Sequence, residues 1–198
     1  MGDQPAPEVA AILARLRDAG SAETAAAFPR DAEAAAQAGL YAFHADDEAR
    51  DLLAARLMAP ITSPMYVGKA GAPRHHSDEL FGLTLAERIG AYQLRGRTQH
   101  SEFRQTLAAL LWLHLGLRPR RPLALDERSD ARLSGWMAAH LRIAIVPYPD
   151  TERLPALFTD VVNALDPPLN LDARPPTPVR RRLLGWRSVL LQSARLPL

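Results

Sequence analysis

Two short runs of this 198-residue chain set a tyrosine close to a glycine: Gly39-Leu40-Tyr41 and Tyr66-Val67-Gly68-Lys69. A phenol has a pKa of about 10, so it acts as a base only beside a cation that favours the phenolate. Lys69 is such a cation, and it is the sole lysine among 24 Lys plus Arg. A lone lysine in an arginine-rich chain suggests a site that wants a compact, flexible ammonium, although chance retention of one codon explains it too. Arg88 and Tyr92 stand four residues apart, which puts them on one face of a helix. A guanidinium there can grip an oxyanion in fork geometry. Asn170 follows Pro167-Pro168-Leu169. Each residue also has an ordinary explanation: half-buried strand tyrosines, surface charges on a helix at Glu87 and Arg88, and a turn asparagine.

The elements that must carry these residues can be read from periodicity and punctuation. Gly39–Phe43, Met65–Gly68 and Leu141–Val146 read as strands. Helical spacing covers Pro7–Ala19, Asp46–Met58, Ser101–Leu115, Asp126–His140, Leu154–Leu165 and Pro178–Ser193, and a short helix is expected over Ser21–Phe28. Thr84 with Glu87 forms a capping-box pattern that opens a helix to about Leu94. Gly71–Gly82 is Gly/Pro-punctuated and polar, a loop. The expected fold class is α/β (α+β), a small three-stranded, mostly antiparallel sheet flanked by many helices. The division expected is a helical extension over 1–35, a main domain over 36–172 with helical insertions, and a basic helix over 173–198 packed on it.

Composition sets limits. The absence of cysteine excludes disulfides, cysteine zinc sites and a thiol nucleophile. No apolar run approaches the roughly 20 residues of a membrane span, and residues 1–7 lack the regions of a signal peptide, so a cytoplasmic protein is expected. Net charge is +2 but uneven. Residues 1–60 hold ten acids and five bases, whereas 61–142 hold seven acids and twelve bases. Such asymmetry points modestly to a polyanion, and ordinary solvated charged faces are the alternative.

The two tyrosine motifs, the segment Leu85-Ala86-Glu87-Arg88-Ile89-Gly90-Ala91-Tyr92 and the run Pro167-Pro168-Leu169-Asn170-Leu171 together resemble GIY-YIG nuclease domains. The four elements come in the family's order, and the resemblance spans about Gly39 to Leu171. Glu102-Phe103-Arg104-Gln105-Thr106-Leu107, Leu133-Ser134-Gly135-Trp136-Met137 and His140-Leu141-Arg142 are similar to segments of a bacterial branch, where packing is their expected role. The resemblance implies a DNA endonuclease that hydrolyses phosphodiester bonds with one divalent ion, Mg2+ or Mn2+. It implies that Tyr41 orients or deprotonates the attacking water, with Lys69 favouring the phenolate. Tyr66 would position water or phosphate, Arg88 would clamp phosphate oxygens beside Tyr92, and Asn170 would brace the site.

One position departs from the pattern. The family's metal-binding glutamate falls on Phe158, which offers no oxygen to a hard cation. Asp160 lies roughly 200° further round a helix, Glu152 is six residues upstream, and Glu79 sits in the 71–82 loop with His75, His76 and Asp78. These are the candidate replacements for the ligand, and a solvated loop is the plainer reading of the last group. Arg95, Arg97, Arg104, Arg118, Arg120, Arg121, Arg180, Arg181 and Arg182 form the expected nucleic-acid strip, with DNA as the expected partner and a separate targeting protein as a second. A polar inter-helix loop explains 118–121 equally well. The alternative function is a degenerate or repurposed module that binds nucleic acid, a protein partner or a small molecule.

Overall fold

The computed structural model describes residues 7–71, 83–120, 124–172 and 174–193. The chain opens with α1 (Pro7–Arg17), β1 (Glu23–Thr24), a 3-10 turn at Ala25–Ala27, the short α2 (Ala32–Ala35) and β2 (Gly39–Ala45). Next come α3 (Asp47–Leu57), β3 (Tyr66–Ala70), a π-helix (Glu87–Leu94) and α4 (Glu102–Leu115). A small ribbon of β4 (Pro119–Arg120) and β5 (Ala124–Leu125) leads into α5 (Glu127–His140). β6 (Leu141–Pro147), α6 (Leu154–Leu165) and α7 (Pro178–Ser193) complete the order.

The main sheet runs β1-β6-β2-β3, with every pairing antiparallel. β2 is central, so both its faces are covered and its sequence does not alternate. Leu40, Tyr41, Ala42 and Phe43 are each fully buried. On one face Tyr41, Phe43, Tyr66 and Ile143 pack against α3, α4, α5 and α7. On the other, Leu40, Ala42, Val67, Ala144 and Val146 meet Ile12, Leu13 and Leu16 of α1 and Leu154, Leu157 and Val161 of α6. The N-terminal helix is thus part of the core, and α7 packs along α4.

The ends of the helices follow their side chains. Asp46, Ser101 and Asp126 cap α3, α4 and α5 by accepting the N–H groups of Ala49, Arg104 and Ser129 at 2.8, 3.1 and 2.8 Å. Gly116, at φ 57°, ends α4 in the left-handed region that favours glycine.

Three expectations are corrected. The sheet has four strands, not three. The helix expected over 21–28 is replaced by β1 and a single 3-10 turn, because Glu23 and Thr24 pair with Ile143 and Arg142 of β6. The helix after Thr84 begins with the expected capping box, in which Thr84 N–H donates to Glu87 Oε2 at 2.8 Å and Glu87 N–H to Thr84 Oγ1 at 3.2 Å. It then widens into π geometry, closed by Arg95 N–H on the Gly90 carbonyl at 3.1 Å. Residues 72–82, with His75, His76, Asp78 and Glu79, lie outside the described residues, as does Arg121. No helix among the described residues is long and apolar enough to cross a membrane.

Candidate active site

The cross-strand register brings the two tyrosine motifs together. Tyr41 lies opposite Gly68 and Phe43 opposite Tyr66, so all three rings share one face. The rings of Tyr41 and Tyr66 are 6.4 Å apart, and Phe103 of α4 packs on Tyr66 at 4.7 Å and stacks on Phe43 at 4.5 Å. The motif glycines are required by close approach. A Cβ on Gly68 would come within 2.2 Å of Tyr41 Cζ, and one on Gly39 within 2.2 Å of the Val146 carbonyl oxygen.

Asn170 fixes the outer edge of β3. Its Oδ1 accepts the Val67 N–H at 2.9 Å and its Nδ2 donates to the Val67 carbonyl at 2.8 Å. Leu169 N–H adds a bond to the Met65 carbonyl at 3.0 Å. Residues 169–170 therefore flank Tyr66 on both sides along the strand.

Arg88 rises from the π-helix beside both phenols, its guanidinium 6.0 Å from the ring centre of Tyr92. Its Nε is buried without a hydrogen-bond partner among the described residues. A buried, unused N–H on a cation is a donor suited to an incoming oxyanion. Burial pushes the Tyr41 phenol up, opposed by the charge of Arg88 and a hydrogen bond from Gln93. Burial also pushes Tyr66 well above its ordinary value, with further negative charge from Glu102 and Asp172 and partial relief from Arg88. Both phenols are therefore neutral at neutral pH and serve as hydrogen-bonding groups.

Lys69 does not join them. Side chains alternate along a strand, and Lys69 falls on the opposite face. Its Nζ lies 5.2 Å from the ring centre of Phe158 in α6, and burial lowers its pKa. The phenolate-stabilising role expected of Lys69 has no geometric basis. The same contact decides the fit of the family's metal. An apolar ring with an ammonium over it is not an oxygen donor set for Mg2+ or Mn2+, so position 158 does not hold the ion. Asp160 and Glu152 are exposed at this far side. No group of three or more His, Cys, Asp or Glu among the described residues is arranged to hold a metal.

The arginine strip divides in two. Arg104 is fully buried, donating to the carbonyls of Gln93 and Leu94, to Ser134 Oγ and to Asp130. Arg180 is 3 % exposed and ties Asp166, Pro167 and Asn170 together. Arg182 donates to the Leu57 carbonyl. Arg104 and Arg180 are internal braces, and burial removes them from any nucleic-acid surface. Arg95, Arg97, Arg118, Arg120 and Arg181 are exposed.

Two further residues join the site that the motifs did not single out. Gln93, 1 % exposed, donates from Nε2 to Tyr41 Oη at 2.9 Å, and its Oε1 accepts the hydroxyl of Ser101. It lies four residues beyond Ile89 and eight beyond Leu85, both fully buried, and that stripe is the signal that could have found it. Glu102 is the first residue of α4, where an acid reads as a favourable helix start. One of its oxygens accepts from Arg187 at 3.2 Å, and its side chain is 22 % exposed. Burial and the nearby charge of Asp172 raise its pKa to about 7, against the pull of Arg187.

Residues 53–188 match the family model described as GIY-YIG catalytic domain. The match includes Tyr66, Arg88, Glu102 and Asn170, and it opens after β2, so Tyr41 is tied to the site by register alone. No curated protein and no solved structure gives a significant match. With the family model covering more than half of the chain, and with its strand pair, arginine helix and asparagine brace meeting on one sheet face, the chain belongs to the GIY-YIG family of nuclease-type domains.

Proposed function

We propose that this chain is a DNA endonuclease that hydrolyses phosphodiester bonds on the aromatic face of its sheet, acting in the cytoplasm. The observation that carries the reading is Arg88, a partly buried cation with an unused Nε–H beside two neutral phenols. A phosphodiester resists attack because its oxygens are negative and grow more so in the transition state. Fixed donors aimed at those oxygens lower the barrier. Arg88 supplies charge and a fork of N–H groups, and Tyr66, 9 % exposed, supplies a phenol held in place by Phe103 and by the bracing of β3. Tyr41 has no exposed surface, so it acts from behind, fixing Tyr66 and Arg88. Exposed Arg95, Arg97, Arg118, Arg120 and Arg181 offer phosphate contacts that give affinity without sequence information.

A divalent ion, Mg2+ or Mn2+, supplies charge neutralisation in the family's chemistry. Phe158 gives it no ligand, and no step above passes through it. Phe158 is also the observation that favours a second reading, a module that binds nucleic acid without cutting it. Cleavage of plasmid and single-stranded DNA separates the two, measured with Mg2+, with Mn2+ and with chelator, beside Arg88→Ala and Tyr66→Phe. The nuclease reading expects cutting that falls by about 100-fold or more in Arg88→Ala. DNA retardation without cutting by the folded wild-type protein would establish the binding module instead.

A further inference from the structure

We propose that Glu102 is the residue that takes the proton from the attacking water. The inference rests on the nuclease reading and places its proton transfer on α4 instead of on a tyrosine.

Tyr41 is fully buried, with Gln93 donating to its oxygen, so no water reaches it in the described structure. Tyr66 is neutral and remains so far above neutral pH. Lys69 lies across the sheet on Phe158. None of the three accepts a proton at neutral pH from a water on the aromatic face.

Glu102 can. Ser101, the N-cap of α4, is tied to Gln93 and through it to Tyr41, and Phe103 packs on Tyr66. The backbone of the residue between them is therefore anchored on both sides, and its carboxylate lies near enough to Tyr66 for its charge to act on that phenol. Arg187 of α7 holds one carboxylate oxygen, and the side chain keeps a path to solvent. The charged and titratable groups that face it are Asp172 from the segment after Asn170, Arg187 from α7 and Tyr66 from β3. Burial and Asp172 bring its acidity into the range where a carboxylate exchanges protons efficiently at neutral pH. In the step proposed, a lone pair of the water oxygen forms the new bond to phosphorus as its proton passes to the Glu102 carboxylate. The bond from phosphorus to the leaving oxygen breaks with its electron pair, and that oxygen takes a proton from solvent.

The test is the pH dependence of kcat and KM for plasmid cleavage by the full chain. Wild type is expected to show a rise in kcat through about pH 7 as Glu102 ionises. Glu102→Gln keeps the shape and the contact with Arg187 but cannot accept the proton. It should lose about 100- to 10,000-fold in kcat, with KM for DNA little changed and the rise abolished. Asp172→Asn removes a neighbouring negative charge, so it should move the rise to lower pH, a shift that a merely structural Glu102 would not produce. Retardation of DNA by Glu102→Gln at wild-type affinity shows that the variant folds. Cleavage abolished in Arg88→Ala but intact in Glu102→Gln, or a pH rise unmoved by Asp172→Asn, overturns this inference and leaves the nuclease reading standing. Absence of cleavage by the wild type overturns both.

Discussion

On one face of the sheet, β2 and β3 present Tyr41, Phe43 and Tyr66 to α4 and to the helix that carries Arg88; on the other, Leu40, Ala42 and Val67 meet α1 and α6. Both faces bury ionisable groups, and they treat them differently. On the far face His44 is fully buried, bonded through Nδ1 to Ser63 Oγ at 2.7 Å, and burial lowers its pKa so that it stays neutral. Lys69 rests on an aromatic ring. On the near face Arg88 keeps an unused N–H, and Glu102 titrates near neutrality with a route to solvent. The far face silences its polar groups with packing. The near face leaves a donor unused and a carboxylate open to solvent. A single strand serves both purposes because alternate residues point to opposite sides.

Substitutions can break this comparison. The largest effect is expected for Gly68→Ala, whose Cβ would overlap the Tyr41 ring. Neither strand backbone nor buried ring can move aside cheaply, so urea unfolding should show a loss of about 3 kcal/mol. A loss confined to a few tenths would mean that the ring on the near face is loosely held. Asn170→Ala comes next. Two bonds to Val67 vanish, leaving a buried N–H and C=O without partners, at a cost of about 2 kcal/mol. Hydrogen exchange at the Val67 amide should speed up while amides of β6 hold their protection. The smallest effect belongs to Lys69→Met. It removes one cation–π contact worth about 1 kcal/mol or less, and cleavage should match the wild type. Loss of cleavage in Lys69→Met, with stability intact, would dissolve the division between the faces.

Much of this site was legible in the sequence. The tyrosine-glycine runs and the capping box at Thr84 are local patterns with local causes, and the structure contains them. The placement of Lys69 was encoded as well, against the expectation that it serves Tyr41. It is an odd number of residues from Tyr66, which on a strand means opposite faces. Arg104 likewise sits on the same helical stripe as Leu107 and Leu111, both fully buried, and that stripe argues for an internal arginine where the expectation was a nucleic-acid contact. Other features depend on contacts distant in the chain. β1 is two residues long and exists because β6 offers it a partner. The widening of the helix after Thr84 to i→i+5 bonding is a feature that no residue type encodes. The raised pKa of Glu102 arises from burial and from a carboxylate 70 positions downstream, against the pull of a guanidinium on α7.

β3 is the last strand of its sheet, and a last strand normally carries a row of free N–H and C=O groups that a neighbouring molecule can copy onto. Here the carboxamide of Asn170 takes both groups of Val67, and the Leu169 N–H takes the carbonyl of Met65. The side chain imitates one residue of a fifth strand and goes no further. The pair of bonds that steadies a tyrosine thus also stops the sheet from growing, and guards the chain against templated self-association at the outer edge of β3.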